Sequence, residues 1–320
     1  MNHFRPYRQN HLSNGKLIIQ LKEFLKQGDT EVEWVVDKLI PKGGITILAA
    51  KPKVGKTILT FNMAICVSVG QPFLGYETLE GPVIIIQMED TKSLIRNRLY
   101  TMTGVEDLPI YLNNKLFSLQ GNLDELKNII EQIQPQLVIF DPMVFLLDVT
   151  DENNAMQIAK AMKPLRDLAI ETNTAILIVH HHRKGVGNDE EAIRGSSAIF
   201  GSVDMAINIF KEANGTTKMR IHGRMTEQKE IIIKLDTEIL WWESIGEAEN
   251  YKEEQNKNEL RNYLNKVEKA SIKEIVKGMN ISETQVRRII SNMPDEISYE
   301  EIKCEGAGRP TKYYYLNSRA

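Results

Sequence analysis

The sequence predicts an α/β fold: a mostly parallel sheet flanked by helices, with antiparallel strands at one edge and a small helical unit after it. Three observations point there. Short runs rich in Ile, Val and Leu alternate with longer stretches of helical period, the pattern of parallel strands buried on both faces. After Met205 the helical stretches stop and strand-like runs follow one another. Beyond Glu259, short helices meet at a turn and give way to two further strand-like runs.

In chain order, residues 1–30 form an N-terminal extension, polar at first. Its LIIQLKEFLKQ stretch, from Leu17 to Gln27, has apolar residues at helical spacing and suits a short helix packed on this domain or on a neighbouring subunit. A turn signal follows at Pro41 to Gly44. Strands are expected at Ile45–Ala50, Val83–Met88, Leu137–Phe140 and Ala175–His180. Helices are expected at Lys56–Val69, Ser93–Thr103, Leu123–Gln134 and Asn153–Thr172, which makes βαβ units with helices on both faces of the sheet. AINIFKE, TKMRIHGR, EIIIKLD and ILWWE then read as antiparallel edge strands. The polar stretch from Gly246 reads as a linker or as the solvated start of a helix, and the domain boundary is placed there. The expected division is an extension at 1–30, a main domain at 31–245, a linker at 246–258 and a C-terminal domain at 259–320.

The totals exclude several classes. The 320 residues are 42% hydrophobic and 26% charged, with a net charge of −3, so any nucleic-acid surface must be local. The two cysteines, Cys66 and Cys304, lie far apart without metal-ligand spacing, which fits a reducing cytoplasm. No apolar run approaches the roughly 20 residues of a membrane span, and MNHFRPYRQN lacks the apolar core of a signal peptide.

The chemistry begins at AAKPKVGKT, residues 49–57. Gly55-Lys56-Thr57 is the ending of a phosphate-binding loop, set between a strand and a helix as that loop requires. Ala50 stands where the usual pattern has glycine, which is tolerated if the backbone there has negative φ. Pro52, Lys53, Val54, Gly55, Lys56, Thr57 and Ile58 are the candidate nucleotide-binding residues. Lys56 is expected to reach the terminal phosphates of ATP, and Thr57 to hold Mg²⁺. LVIFD places Asp141 at a strand's C-terminal end, where it suits a Mg²⁺ partner acting partly through water. QMED supplies Glu89, the better-placed base for an attacking water, and Asp90, read as a cap for the next helix. Of His180, His181 and His182, adjacent side chains at a strand end point different ways, so one sensing the γ-phosphate is favoured over a metal cluster.

KPKVGKT, QMED, LVIFD, VHHHRK and RGSSA, in this order, resemble the RecA-like P-loop ATPases of the RepA type, relatives of the DnaB-type hexameric replicative helicases. The resemblance covers roughly Val32 to Glu243. It implies catalytic roles for Lys56, Glu89 and Asp141, and a γ-phosphate sensor at His181. HGRMTE is similar to a K-x-R segment whose arginine enters the next subunit's ATP site. That maps Arg224 to the finger, with Arg220 as competitor and His222 standing where lysine is usual. A finger acting between subunits needs a head-to-tail interface, which closes into a ring or runs on as a filament. The resemblance further implies ATP and Mg²⁺ as cofactors, single-stranded DNA as a partner, a hexameric ring, and a replication initiator or primase as a further partner.

Two surfaces are candidates for DNA. The loop of residues 183–199 has basic residues at its ends, and Lys184 and Arg194 are its phosphate-contact candidates, opposed by the acidic Asp189-Glu190-Glu191. In the C-terminal segment, ASIKEIVKGM and ETQVRRIISNM read as a helix-turn-helix, with Ser282 as a cap. Thr284, Gln285, Arg287 and Arg288 are its candidate duplex-facing residues. The following strand, glycine turn and aromatic strand are similar to the wing of winged-helix domains, with Arg309 and Lys312 beside the turn. The functional expectation is a ring-forming, ATP-driven DNA helicase or translocase serving replication of a plasmid, phage or other mobile element. The alternatives are a DNA-binding regulator or initiator that uses ATP for assembly alone, and a recombinase-like filament former.

Overall fold

The structure, a computed structural model, describes residues 20–26, 31–104, 106–151, 154–181, 197–212, 214–303 and 310–317. The chain divides into two compact units, Met1–Glu33 and Trp34–Ala320. In the first, the described residues form one short helix, α1 (Leu21–Phe24), inside the stretch expected to be helical.

The second unit opens with a two-stranded antiparallel ribbon, β1 (Trp34–Val36) and β2 (Ile40–Pro41). The parallel core then builds up by alternation. Its elements are β3 (Ile45–Ala50), α2 (Lys56–Val69), β4 (Val83–Gln87), α3 (Lys92–Thr103), β5 (Ile110–Asn113), α4 (Leu123–Ile133), β6 (Leu137–Asp141), α5 (Met143–Leu146), α6 (Ala155–Thr172) and β7 (Ala175–His181). After α7 (Ser197–Gly201) come β8 (Met205–Lys211), β9 (Thr217–Gly223), β10 (Lys229–Asp236) and β11 (Trp241–Glu247). All nine strands from β3 to β11 share one sheet in the order β11-β10-β9-β8-β3-β7-β6-β4-β5.

The pairs from β8 through β3, β7, β6 and β4 to β5 are parallel, and those among β8, β9, β10 and β11 are antiparallel. The first of the four runs expected to be antiparallel, β8, therefore pairs parallel with β3 and turns antiparallel only on its other side. The expected strands and helices of the core appear within a residue or two. The edge strand β5 was not expected, because IYLN is only partly buried and lacks a long apolar run.

Alternation along each strand sorts the core to the two faces. Leu48 and Ala50 of β3 pack with Leu59, Phe61 and Met63 of α2, while Ile45 and Ile47 pack with Leu165 and Leu168 of α6. Strands β3, β4, β6 and β7 are buried almost throughout, which explains their unbroken apolar runs.

Of the two readings of the stretch from Gly246, a linker at 246–258 or the start of a helix, the structure shows the helix: β11 ends at Glu247 and a single helix, α8 (Ala248–Val267), leaves it directly. Between Glu247 and Val267 there is no glycine or proline, and Lys257 pairs with Glu253 one turn back at 3.3 Å. This helix touches β10 and β11 at one end and packs with the C-terminal elements at the other. That is why residues 259–320 group with the sheet rather than apart from it. Beyond it lie β12 (Lys269–Ser271), α9 (Ile272–Met279), α10 (Glu283–Ser291), β13 (Ile297–Ile302) and β14 (Thr311–Leu316). The strands form a three-stranded antiparallel sheet in the order β12-β14-β13. Leu260, Leu264, Ile275, Val286 and Ile289 make its own small core. Capping boxes start both short helices, Ser271 with Glu274 and Ser282 with Gln285.

Candidate active site

The C-terminal ends of β3, β4, β6 and β7 carry the polar residues that the sequence singled out. Beyond β3 the chain turns through the loop into α2. Ala50 is the last residue of β3 and keeps the negative φ that alanine needs; positive φ falls instead on Lys53 (64°) and Gly55 (101°). Gly55 is the N-cap of α2, so the free N–H groups of the first turn face the loop. Lys56 is buried, and its Nζ donates to the carbonyls of Ala50 and Lys51, both at 3.0 Å. Burial pulls its pKa down to about 8, against the opposing pull of Asp141 and then Glu89. Pro52 and Lys53 are exposed, and Val54, Thr57 and Ile58 are half-buried.

Asp141, at the end of β6, is fully enclosed. Its Oδ2 accepts the Thr57 hydroxyl at 2.8 Å and the Gln87 amide at 3.1 Å. Burial raises its pKa to about 6, opposed by the Thr57 hydrogen bond, while Glu89 repels its charge and His181 and Lys56 favour it. Gln87, which the sequence reading passed over, ties the site together. Its side-chain carbonyl accepts the backbone N–H groups of Glu89 at 2.7 Å and Asp90 at 2.9 Å. The one sequence signal for it was a polar residue closing a run of four buried aliphatic ones.

Glu89 is exposed and meets His181 Nε2 at 3.2 Å, so the two residues picked from separate strands do come together. Nδ1 of His181 has no hydrogen-bond partner among the described residues. Asp90 is not the helix cap that was expected. Thr91 caps α3 by accepting Leu94 N–H, and Asp90 is drawn instead to Arg98 by a close ion pair.

Thr57 and Asp141 offer hydroxyl and carboxylate oxygens a hydrogen-bond length apart, a donor set that fits a hard cation such as Mg²⁺. The Lys56 ammonium, which donates to the Ala50 and Lys51 carbonyls, and the first-turn N–H groups fit a phosphate chain.

A family model described as the AAA domain matches residues 14–187. The chain belongs to the AAA domain family. A solved structure of a DnaB-like replicative helicase, described with its interactions with primase, is similar to this chain with a TM-score of 0.53 and 13% identity. The match covers 69% of this chain and 66% of that one, and at such identity it shows the shared fold. The fold of this AAA-domain protein is thus that of a RecA-like P-loop ATPase.

Arg224 is exposed and donates to the carbonyl of Gly201 at 2.7 Å. Its competitor Arg220 is tied down, paired with Glu230 at 2.5 Å and lying over the Phe210 ring at 5.3 Å. His222 packs half-buried against Phe200, with ring centroids 5.8 Å apart, and burial and Arg220 lower its pKa. Lys184, Arg194, His182 and Arg309 lie outside the described residues.

In the C-terminal module, Thr284 is exposed on α10, and Arg287 is exposed but bonded to Glu283 at 2.7 Å. Arg288 is exposed and feels the charge of Glu253. Gln285 is exposed, and its side-chain carbonyl accepts the Ser282 N–H at 2.9 Å and hydroxyl at 2.8 Å in the capping box. Lys312 sits 3.8 Å over the Tyr299 ring. Among the described residues no group of His, Cys, Asp and Glu is arranged to hold a metal ion by itself, and no helix is long and apolar enough to cross a membrane.

Proposed function

We propose that this chain is an ATP-hydrolysing, ring-forming DNA helicase or translocase of the RepA-like type, serving replication of a mobile element. The observation that carries the reading is the enclosed constellation of Lys56, Thr57, Gln87 and Asp141, with Glu89 and His181 at its open side. In this reading Lys56 exchanges the Ala50 and Lys51 carbonyls for phosphate oxygens, and the loop N–H groups bind the rest of the chain. Thr57 and Asp141 are the residues that would hold Mg²⁺. When bound, that ion neutralises charge on the phosphates. Glu89, released from His181, accepts a proton from the water that attacks the γ-phosphorus. His181 reports the phosphate to the loop that follows β7.

Arg224 is proposed as the finger, acting on a neighbour's site. It is the exposed member of the pair, whereas Arg220 is engaged with Glu230. The module from 259 onward is proposed as a winged-helix domain. Its fold of α8, α9 and α10 with the β13–β14 hairpin supports this, and duplex DNA is its proposed ligand.

The test is ATP hydrolysis by the full chain with and without single-stranded DNA, paired with sizing of the assembly. Strong stimulation in a ring of several subunits is expected. Hydrolysis indifferent to single strands, with tight duplex binding, would instead establish an assembly regulator.

A further inference from the structure

We propose that Trp242 and Asn62 are positioning residues for the phosphate loop, holding the Gly55–Lys56 peptide in the orientation that binds nucleotide. This inference rests on reading the loop as a nucleotide site.

Trp242 lies on β11, the strand at the far edge of the sheet, yet its side chain reaches the loop. Its Nε1 donates to the Gly55 carbonyl at 3.3 Å. The same carbonyl accepts Leu59 N–H at 3.0 Å, the first hydrogen bond of α2. A peptide unit is planar, so its carbonyl and its N–H point opposite ways. Two donors fixing the Gly55 carbonyl therefore also fix the Lys56 N–H, one of the groups that must face phosphate.

The indole also fills the space beside Gly55. A Cβ added there would lie 2.9 Å from Cζ2 of the ring, in a residue whose φ of 101° already favours glycine. Glycine at this position thus admits the ring as well as the turn.

Asn62 seats the strand that carries the indole. Fully buried on α2, it accepts Trp242 N–H at 2.9 Å and donates to the Leu240 carbonyl at 3.1 Å. This amide pairs with the β11 backbone as a neighbouring strand would, and it anchors the strand to the helix that begins at the loop. Trp242 itself is 4% exposed, so the contact excludes water.

The test compares the full chain with its Trp242→Phe and Asn62→Ala variants, titrated with a non-hydrolysable ATP analogue in the presence of Mg²⁺. Trp242→Phe keeps a ring beside Gly55 and removes the donor. Its affinity should fall about fivefold, the usual weight of one neutral hydrogen bond, and KM should rise with a smaller change in kcat. Asn62→Ala should do the same with the indole intact. A second measurement does not depend on those variants folding. The chain has three tryptophans, so Trp34→Phe with Trp241→Phe leaves Trp242 as the sole indole. Its emission should change when the analogue binds, and adding Lys56→Ala should abolish the change. Unaltered affinity in folded Trp242→Phe, or a silent indole while the analogue binds, would overturn this inference alone. No binding by the wild-type chain would overturn the nucleotide-site reading and the inference with it.

Discussion

The phosphate-loop end of the sheet and the face of α10 were both singled out for charged residues, yet they are built in opposite ways. At the loop, Lys56 and Asp141 are buried: Lys56 donates to the nearby Ala50 and Lys51 carbonyls, and Asp141 accepts from Thr57 on a helix and Gln87 on another strand, 84 and 54 positions away. On α10, Arg287 is exposed and paired with Glu283 one turn away on the same helix. A buried charge held by distant parts of the chain cannot be relaxed locally and is costly to strand. An exposed pair within one helix contributes little to stability and opens readily. The first is a preorganised site; the second is a surface whose charge a ligand must compete for.

The sharpest way to break this comparison is Lys56→Ala. Hydrolysis should drop below detection, by about 10³-fold or more on the scale of removing a preorganised charge from a transferring phosphoryl group, while the thermal midpoint shows a folded chain. Robust turnover would deny the loop its chemistry. Next in size is Arg224→Ala, expected to lose about 10³-fold in rate if it acts as a finger. Mixed assemblies of Arg224→Ala with Glu89→Ala subunits should regain part of that activity at interfaces that join an intact site to an intact arginine. No recovery in verified mixtures would remove the role between subunits.

The pKa directions at the loop give a third test. kcat/KM reports groups of the free protein. Asp141 gains its charge as pH rises through about 6, so kcat/KM should climb there. Lys56 loses its charge as pH rises through about 8, so kcat/KM should fall above it. Each limb should approach about tenfold per pH unit. A flat profile across both values would mean that neither ionisation matters. The smallest effects belong to α10. Arg287→Ala should weaken duplex binding and lower the salt slope by about one. Glu283→Ala, by releasing Arg287, should tighten it. If both substitutions leave binding unchanged in a fluorescence titration, this face does not contact DNA.

The loop was legible because its signal is local. A strand, a turn with glycine and a helix start are consecutive, and Lys56 and Thr57 follow from that geometry. Asp141 and His181 were legible because strand ends in a parallel sheet converge at one crevice. Asp90 was misread because a carboxylate just before a helix usually caps it, whereas here Thr91 is nearer and Arg98 draws the acid away. The stretch from Gly246 left a linker and a helix start both open, because polar composition describes the solvent-facing side of α8 as well as it describes a loop.

The amino-acid sequence alone determined the alternation of strands and helices, the faces they bury and the residues beside the phosphate loop, because these depend on neighbours a few positions away. Tertiary structure decided the rest. It brought Trp242 to Gly55 across 187 positions and Gln87 to Asp141 across 54, and it chose the partners that engage Arg220 and leave Arg224 exposed. No local pattern encodes such contacts, since a buried glutamine or tryptophan acquires its meaning only from what the twist and order of the strands set beside it.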